Sequence, residues 1–170
     1  MNKELFDAIS SGNLEALEEL LATDVNIKQK DENGATALLL AAYNGHVKVV
    51  KFLLTNKHSQ SSEKDNSGNT ALLLAAFQGK IPVLKYLLSK PEVSLLEKNT
   101  AEGDNVLSFA AWNGQLDAIT FLLKQGAYID LLRNDGRTAC QLIQTHSNKV
   151  ALPVLQVAST LLEMAKNGSS

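Results

Sequence analysis

The sequence predicts an all-α solenoid, a stack of helix–turn–helix units with short turn fingers. Two observations carry that prediction. First, the stretch from Asp31 to Leu54, DENGATALLLAAYNGHVKVVKFLL, recurs as DNSGNTALLLAAFQGKIPVLKYLL from Asp65 to Leu88. It recurs more loosely as TAEGDNVLSFAAWNGQLDAITFLL from Thr100 to Leu123. A self-similar period near 33 residues marks an array in which each unit covers its neighbour's apolar face. Second, the intervals Gly34–Gly45, Gly68–Gly79 and Gly103–Gly114 are all 11 positions, whereas the gap to the next unit's first glycine varies from 22 to 24. Packed helices do not absorb insertions and loops do, so the constant half holds the helix contacts and the variable half is an elastic connector.

Each element of the unit has its own signal. Thr36, Thr70, Asn105 and Thr138 lie two residues past the first glycine, where a hydroxyl or amide is expected to accept from the orphan N–H groups of a starting helix. Leu38, Ala41 and Ala42 follow at helical spacing, as do Leu72, Ala75 and Ala76, and the paired alanines admit a close neighbouring helix. Gly45, Gly79 and Gly114 suit the left-handed position just past a helix C-terminus. Val47, Val50, Leu53 and Leu54 then begin a second apolar-periodic stretch, with Lys48 and Lys51 between them.

These residues resemble the ankyrin-repeat family. The matching signature is Asp-x-x-Gly-x-Thr-x-Leu, then Leu-Ala-Ala-x-x-Gly-His-x-x-Val-Val-x-x-Leu-Leu, read from Asp31 to Leu54; three copies agree in phase and the resemblance spans nearly the whole chain. A tetratricopeptide array has a similar period but no glycine-tipped turn before each first helix. One departure is clear. The family's Thr-Pro-Leu-His is here Thr36-Ala37-Leu38-Leu39, Thr70-Ala71-Leu72-Leu73 and Asn105-Val106-Leu107-Ser108. Loss of the proline that presets the first turn, and of the histidine that hydrogen-bonds there, predicts a softer array with the same fold.

The resemblance implies one domain over 1–170: an N-terminal capping repeat (1–30), full repeats (31–64, 65–98 and 99–132) and a C-terminal capping repeat (133–167). In the first cap Leu5, Ala8 and Ile9 form one apolar stripe. Leu14, Leu17, Leu20 and Leu21 face inward, while Glu15, Glu18 and Glu19 give an uncovered end its polar face and suit the positive end of a helix dipole. The connector from Thr55 to Lys64 lacks the family's Gly-Ala-Asp-Val-Asn and is expected to be mobile; Gly126-Ala127-Tyr128-Ile129-Asp130 restores that pattern. Pro82 and Pro153 fall in first turns of helices, where a missing N–H costs little. In the closing repeat Ser147 replaces the inter-helix glycine. Leu155, Ala158, Leu161, Leu162 and Ala165 form the apolar stripe of the last helix, opposite Gln156, Thr160, Glu163 and Asn167, and the tail to Ser170 is expected to fray.

Composition narrows function. A net charge of −2 argues against a nucleic-acid or membrane partner, both of which favour basic surfaces. Cys140 is the only cysteine, no apolar run reaches the roughly 18 residues of a span, and Met1-Asn2-Lys3-Glu4 opens no signal peptide, so the expected compartment is cytoplasmic. No residue is assigned to catalysis, to a metal or to a cofactor. His46 holds the family's Gly-His position and is read as structural, while His58 and His146 are read as solvated. Cys140 aligns with Leu38 and is read as a small core residue. Asn167-Gly168-Ser169 matches a glycosylation sequon that has no secretory context here. Lys48, Lys51, Lys80, Lys85 and Lys124 are read as a solvated outer face, scattered and without aromatic company.

The candidate site is a stripe of rings. Tyr43, Phe77 and Trp112 each lie nine residues past the first glycine of their repeat, so they occupy one structural position in three successive layers. The resemblance places that position on the concave side, at the end of each first helix. Neighbouring helices pack roughly 8–10 Å apart, giving a stripe about 20 Å long. Asn44, Gln78 and Asn113 add amides beside it. Glu32, Asn33, Asn66, Ser67, Asn69, Glu102, Asp104 and Arg137 add turn tips of mixed, slightly acidic charge. The expectation is a monomeric, non-enzymatic adaptor, inhibitor or effector that binds a protein or peptide in its groove. By resemblance the partner could be a signalling enzyme, a transcription regulator or, if a microbe exports the chain, a host factor. The alternatives are a small-molecule-binding or enzymatic use of the same groove, or self-association through the stripe.

Overall fold

The computed structural model describes residues 2–23, 25–145 and 150–167, the last stretch without the side chains of 161, 162 and 165–167. The expectations for His146, Ser147, Leu161, Leu162, Ala165, Asn167 and the tail lie outside the described residues.

The first helices are too apolar to stand in water, and the fold gives them no opportunity to. In α3 (Ala37–Asn44) the side chains of Ala37, Leu38, Leu39, Ala41 and Ala42 are buried. The equivalent five are buried in α5 (Ala71–Phe77), and so are their counterparts in α7 (Val106–Trp112). With α1 (Lys3–Ser11) and α9 (Ala139–Thr145) these helices stack into an inner row, each against the next. Small alanines on both sides permit that stacking. Only one face of each of α3, α5 and α7 remains partly open: Leu40, Tyr43 and Asn44 in α3, at i, i+3 and i+4. Burying Leu38, Leu39, Leu72, Leu73 and Leu107, all 2% exposed or less, contributes about 1.5–3 kcal/mol each before conformational entropy is counted.

The second helices form an outer row: α2 (Leu14–Leu21), α4 (Val47–Thr55), α6 (Ile81–Leu88), α8 (Leu116–Lys124) and α10 (Leu152–Asn167). Each is amphipathic and buries one stripe, as Val49, Val50 and Leu53 do in α4. Among the described residues there is no β-strand, only an isolated bridge between Lys98 and Asn105, and no helix is long and apolar enough to cross a membrane.

Four expectations need correction. Thr36 does not cap α3. Its hydroxyl donates to Glu63 Oε2 at 2.5 Å, and Thr70 likewise donates to Glu97 at 2.6 Å while holding Leu73 N–H only at 3.4 Å. Donation to a carboxylate leaves the hydroxyl oxygen able to accept, as Thr70 does, so the two roles do not compete; both threonines tie finger to connector. Asn105 does cap as expected, in a reciprocal box with Ser108. Second, the connector from Thr55 to Lys64 has defined turns. His58 and Ser59 N–H both donate to Leu53 O, Gln60 N–H donates to Glu63, and His58 stacks on Phe52 at 5.5 Å. Third, the two extra residues in the interval from Gly79 to Gly103 are not both in the connector. Asp65 N–H meets Asn69 O, whereas Asn99 N–H meets Asp104 O, so one of them lengthens the third finger itself. Fourth, the outer lysines do have aromatic company. Phe52, Tyr86 and Phe121 are equivalent positions on the outer row, and Lys51 lies over Tyr86 (5.4 Å) and Lys85 over Phe121 (5.9 Å).

Candidate partner-binding groove

The fingers make one wall of the groove and the open faces of the first helices make its floor. Each of the first three fingers begins with a residue whose side chain closes its own turn. Asp31 accepts from the N–H of Asn33 and Ala35, Asp65 from Ser67 and Asn69, and Asn99 from Glu102 and Asp104. Successive fingers are zipped tip to tip. Asn66 N–H donates to Asn33 O (2.9 Å), Thr100 N–H to Ser67 O (3.1 Å) and Asn134 N–H to Glu102 O (3.0 Å). The glycine of each of the first three fingers lies against the following tip: a Cβ on Gly34 would stand 2.2 Å from Asn66 Oδ1. The wall therefore needs both the left-handed φ and the missing side chain.

On the floor, Tyr43 and Trp112 stay 38% and 41% exposed, and Phe77 is half-buried; Phe6, in the end helix α1, is exposed as well. Tyr43 and Phe77 stack with centroids 6.5 Å apart, and Phe77 then meets Phe109 edge-on at 5.9 Å. Phe109 belongs to a second row, Leu40–Leu74–Phe109–Leu142, that runs beside the first. Its signal was present in the sequence: it lies three residues before Trp112, on the same helix face.

Most of the polar candidates serve the array itself. Asn44 donates to Leu40 O within its helix, and Asn113 reaches across to donate to Phe77 O at 2.9 Å, tying α7 to the end of α5. Asn66 Nδ2 donates to Glu32 O, and Asn69 Nδ2 to Asp65 Oδ2, with Asn69 Oδ1 buried and without a hydrogen-bond partner. Asn33, Ser67 and Glu32 lend backbone carbonyls to the zipper, and the side chains of all three are exposed. Gln78 is half-buried on the floor, one step past Phe77.

Asp104 and Arg137 converge at the far end, around a residue that the sequence reading passed over. Arg133 stands where Asp31, Asp65 and Asn99 stand in the earlier fingers, and its side chain is 4% exposed. Its guanidinium bonds to Asp104 (2.6 Å) and Asp135 (2.5 Å), with Glu102 at 3.7 Å. Arg137 clamps Asp135 from the other side at 2.7 Å and reaches Thr145. The hydrogen bond to Asp104 holds the Arg133 guanidinium above its ordinary value. Hydrogen bonds from Arg137 hold the Asp135 carboxyl below its own. Between this ionic wall and the rings of Phe77, Phe109 and Trp112 lies a cavity of about 530 Å³.

The remaining candidates are accounted for by packing. His46 Nε2 lies 2.7 Å from Ser10 O, which places the proton on Nε2, and the ring covers Gly12. Lys80 and Gln115 cover Gly45 and Gly79 in the same way. Cys140 is buried, and burial pushes its thiol up, away from the reactive thiolate. Among the described residues no group of three or more His, Cys, Asp or Glu side chains could hold a metal ion.

A family model described as ankyrin repeats in three copies matches residues 5–99 and 62–135. This chain belongs to the ankyrin-repeat family. Ankyrin repeats are in general protein–protein interaction modules, and the family is in general a non-enzymatic scaffold. Among curated proteins, the Ankyrin repeat and SAM domain-containing protein 6 of Mus musculus is 36% identical over 165 residues, 96% of this chain. The Rattus norvegicus protein of the same name is 35% identical over 165 residues. This ankyrin array spans 15% of the length of either relative.

Proposed function

We propose that this ankyrin array is a non-enzymatic adaptor, inhibitor or effector that holds a protein segment or peptide in its groove. Tyr43, Phe77 and Trp112 would be the apolar anchors. Gln78, Asn44, Asn113 and the exposed tips at Glu32, Asn33, Ser67 and Arg137 would form the rim. The observation that carries the reading is the exposure of Tyr43 and Trp112, at 38% and 41%, in the group α3, α5 and α7, whose other faces are almost wholly buried. Large half-covered rings aligned along one groove favour a covering partner, and aromatics dominate binding hot spots. The array would act as a monomer in the cytosol, with neither nucleic acid nor membrane as partner.

Replacing Tyr43, Phe77 and Trp112 together by Ala should abolish partner capture from the native cell while circular dichroism shows helical content unchanged. Capture equal to wild type would sink the assignment. One observation favours a second reading, a small molecule in the same groove: the 530 Å³ cavity lies within the size range of ligand sites. Against it, the charged groups there are bonded mostly to one another and leave no converging acid–base pair. A thermal-shift screen with a specific metabolite response would promote that reading. Concentration-dependent light scattering would do the same for self-association.

A further inference from the structure

We infer that the cavity at the C-terminal end of the groove takes a basic side chain, an arginine or lysine, from the bound segment; this deepens the proposed binding role and rests on it. Charge decides the occupant. Three carboxylates, Glu102, Asp104 and Asp135, face two guanidiniums, Arg133 and Arg137. Both oxygens of Asp104 are taken by Arg133, and Asp135 is shared between the two arginines. Glu102 is different. Its side chain is 66% exposed, and its approach to Arg133, at 3.7 Å, is beyond hydrogen-bond length. The unbalanced negative charge of the wall therefore sits on a carboxylate with acceptor capacity to spare, on the rim of the cavity.

The opposite side of the cavity suits the rest of such a side chain. Phe77, Phe109 and Trp112 present ring faces and edges. An aliphatic stem can lie along them, and a cation near an aromatic face gains from the ring's quadrupole. Arginine fits best, since its planar fork can stack on a ring and meet a carboxylate with two parallel bonds. An anionic group would meet net negative charge, and a purely apolar group would cover Glu102 with no hydrogen bond to its carboxylate beyond the 3.7 Å approach of Arg133.

The test is selection from a random peptide library displayed against the intact chain, followed by affinities for the selected peptides at two salt concentrations. Expected are peptides that lose binding to Tyr43→Ala and share a basic residue at one position. Their affinity should fall about tenfold in Glu102→Gln, the scale of one charge-assisted bond. It should fall further in Glu102→Lys, and weaken with added salt. Glu102 is an exposed tip residue, so both variants should fold; an unchanged circular dichroism spectrum checks this. Peptides that depend on Tyr43 but show no basic preference, that favour acidic residues, or that ignore Glu102→Gln would overturn the inference and leave the binding role standing. If no selected peptide responds to Tyr43→Ala, the groove reading fails and the inference with it.

Discussion

The first three fingers and the last one are built from the same five- or six-residue turn, yet they do different work. In the first three, Asp31, Asp65 and Asn99 close the turn, and Gly34, Gly68 and Gly103 tuck beneath the next tip. In the last, Arg133 takes the closing position, Asp135 accepts from Arg137 N–H instead, and nothing stands within 4 Å of a Cβ on Gly136. The floor changes with the wall. Beside the earlier fingers Tyr43 and Phe77 stack on one another, while beside the last the rings border a cavity. Where the unit repeats faithfully, polar groups satisfy each other and the array gains a wall. Where it departs, charge and space are left over.

That contrast can be broken most sharply at the glycines. Gly68→Ala would force a Cβ to 2.1 Å from Thr100 Oγ1 and 2.6 Å from Thr100 N, in a φ of +80°. Strain and overpacking together should cost roughly 4 kcal/mol. Gly136→Ala has the same kind of φ, +78°, and open space, so roughly 1 kcal/mol is expected. Urea unfolding of the two variants measures the difference; equal costs would mean that the tips do not interlock.

Next in size is Arg133→Ala. It strands Asp104 and Asp135 beside a removed cation, which should cost about 3 kcal/mol, the low end for a broken buried pair because the carboxylates can still reach water. Lys51→Ala, which loses one exposed cation over a ring, should stay within about 0.5–1 kcal/mol in the same denaturation series. A similar loss at both positions would refute the special standing of the last finger.

The smallest effect is in pH. The Asp135 carboxyl is depressed in the folded chain, first by its hydrogen bond from Arg137. A depressed carboxylate stabilises above its unfolded value of about 3.9 and loses that contribution as pH falls below it. Trp112, the single tryptophan, lines the cavity together with Arg133 and Arg137, the two partners of Asp135. Its emission should therefore change below about pH 4 in the wild type and change less in Asp135→Asn. Identical titrations would detach Asp135 from the cavity.

The fold was legible because periodicity is a local property. The Gly-to-Gly interval, the Ala pairs and the Leu positions each declare a helix or a cap without knowledge of neighbours, and the buried residues of α3, α5 and α7 follow that pattern. The ring positions were legible for the same reason. What the pattern missed depends on contacts between residues far apart in the chain. The donation of Thr36 to Glu63 spans 27 residues, and so does that of Thr70 to Glu97. The extra residue of the third finger could be placed only by its hydrogen bonds. Arg133 was passed over although an arginine at an aspartate position is itself a signal; its meaning came from Asp104, 29 residues away.

The sequence by itself determined the stacking of helical pairs and the layer-by-layer alignment of Tyr43, Phe77 and Trp112, because both follow from spacing along one chain. Only the tertiary structure decided which polar side chains remain available to a partner, since most amides and acids near the groove are satisfied by their own turn or helix, as Asp31 and Asn44 are, or by the adjacent repeat, as Asn66, Asn113 and Asp104 are. It also decided where the surplus charge lies, because three carboxylates and two guanidiniums from two fingers share one small volume, and such a balance is set by distance.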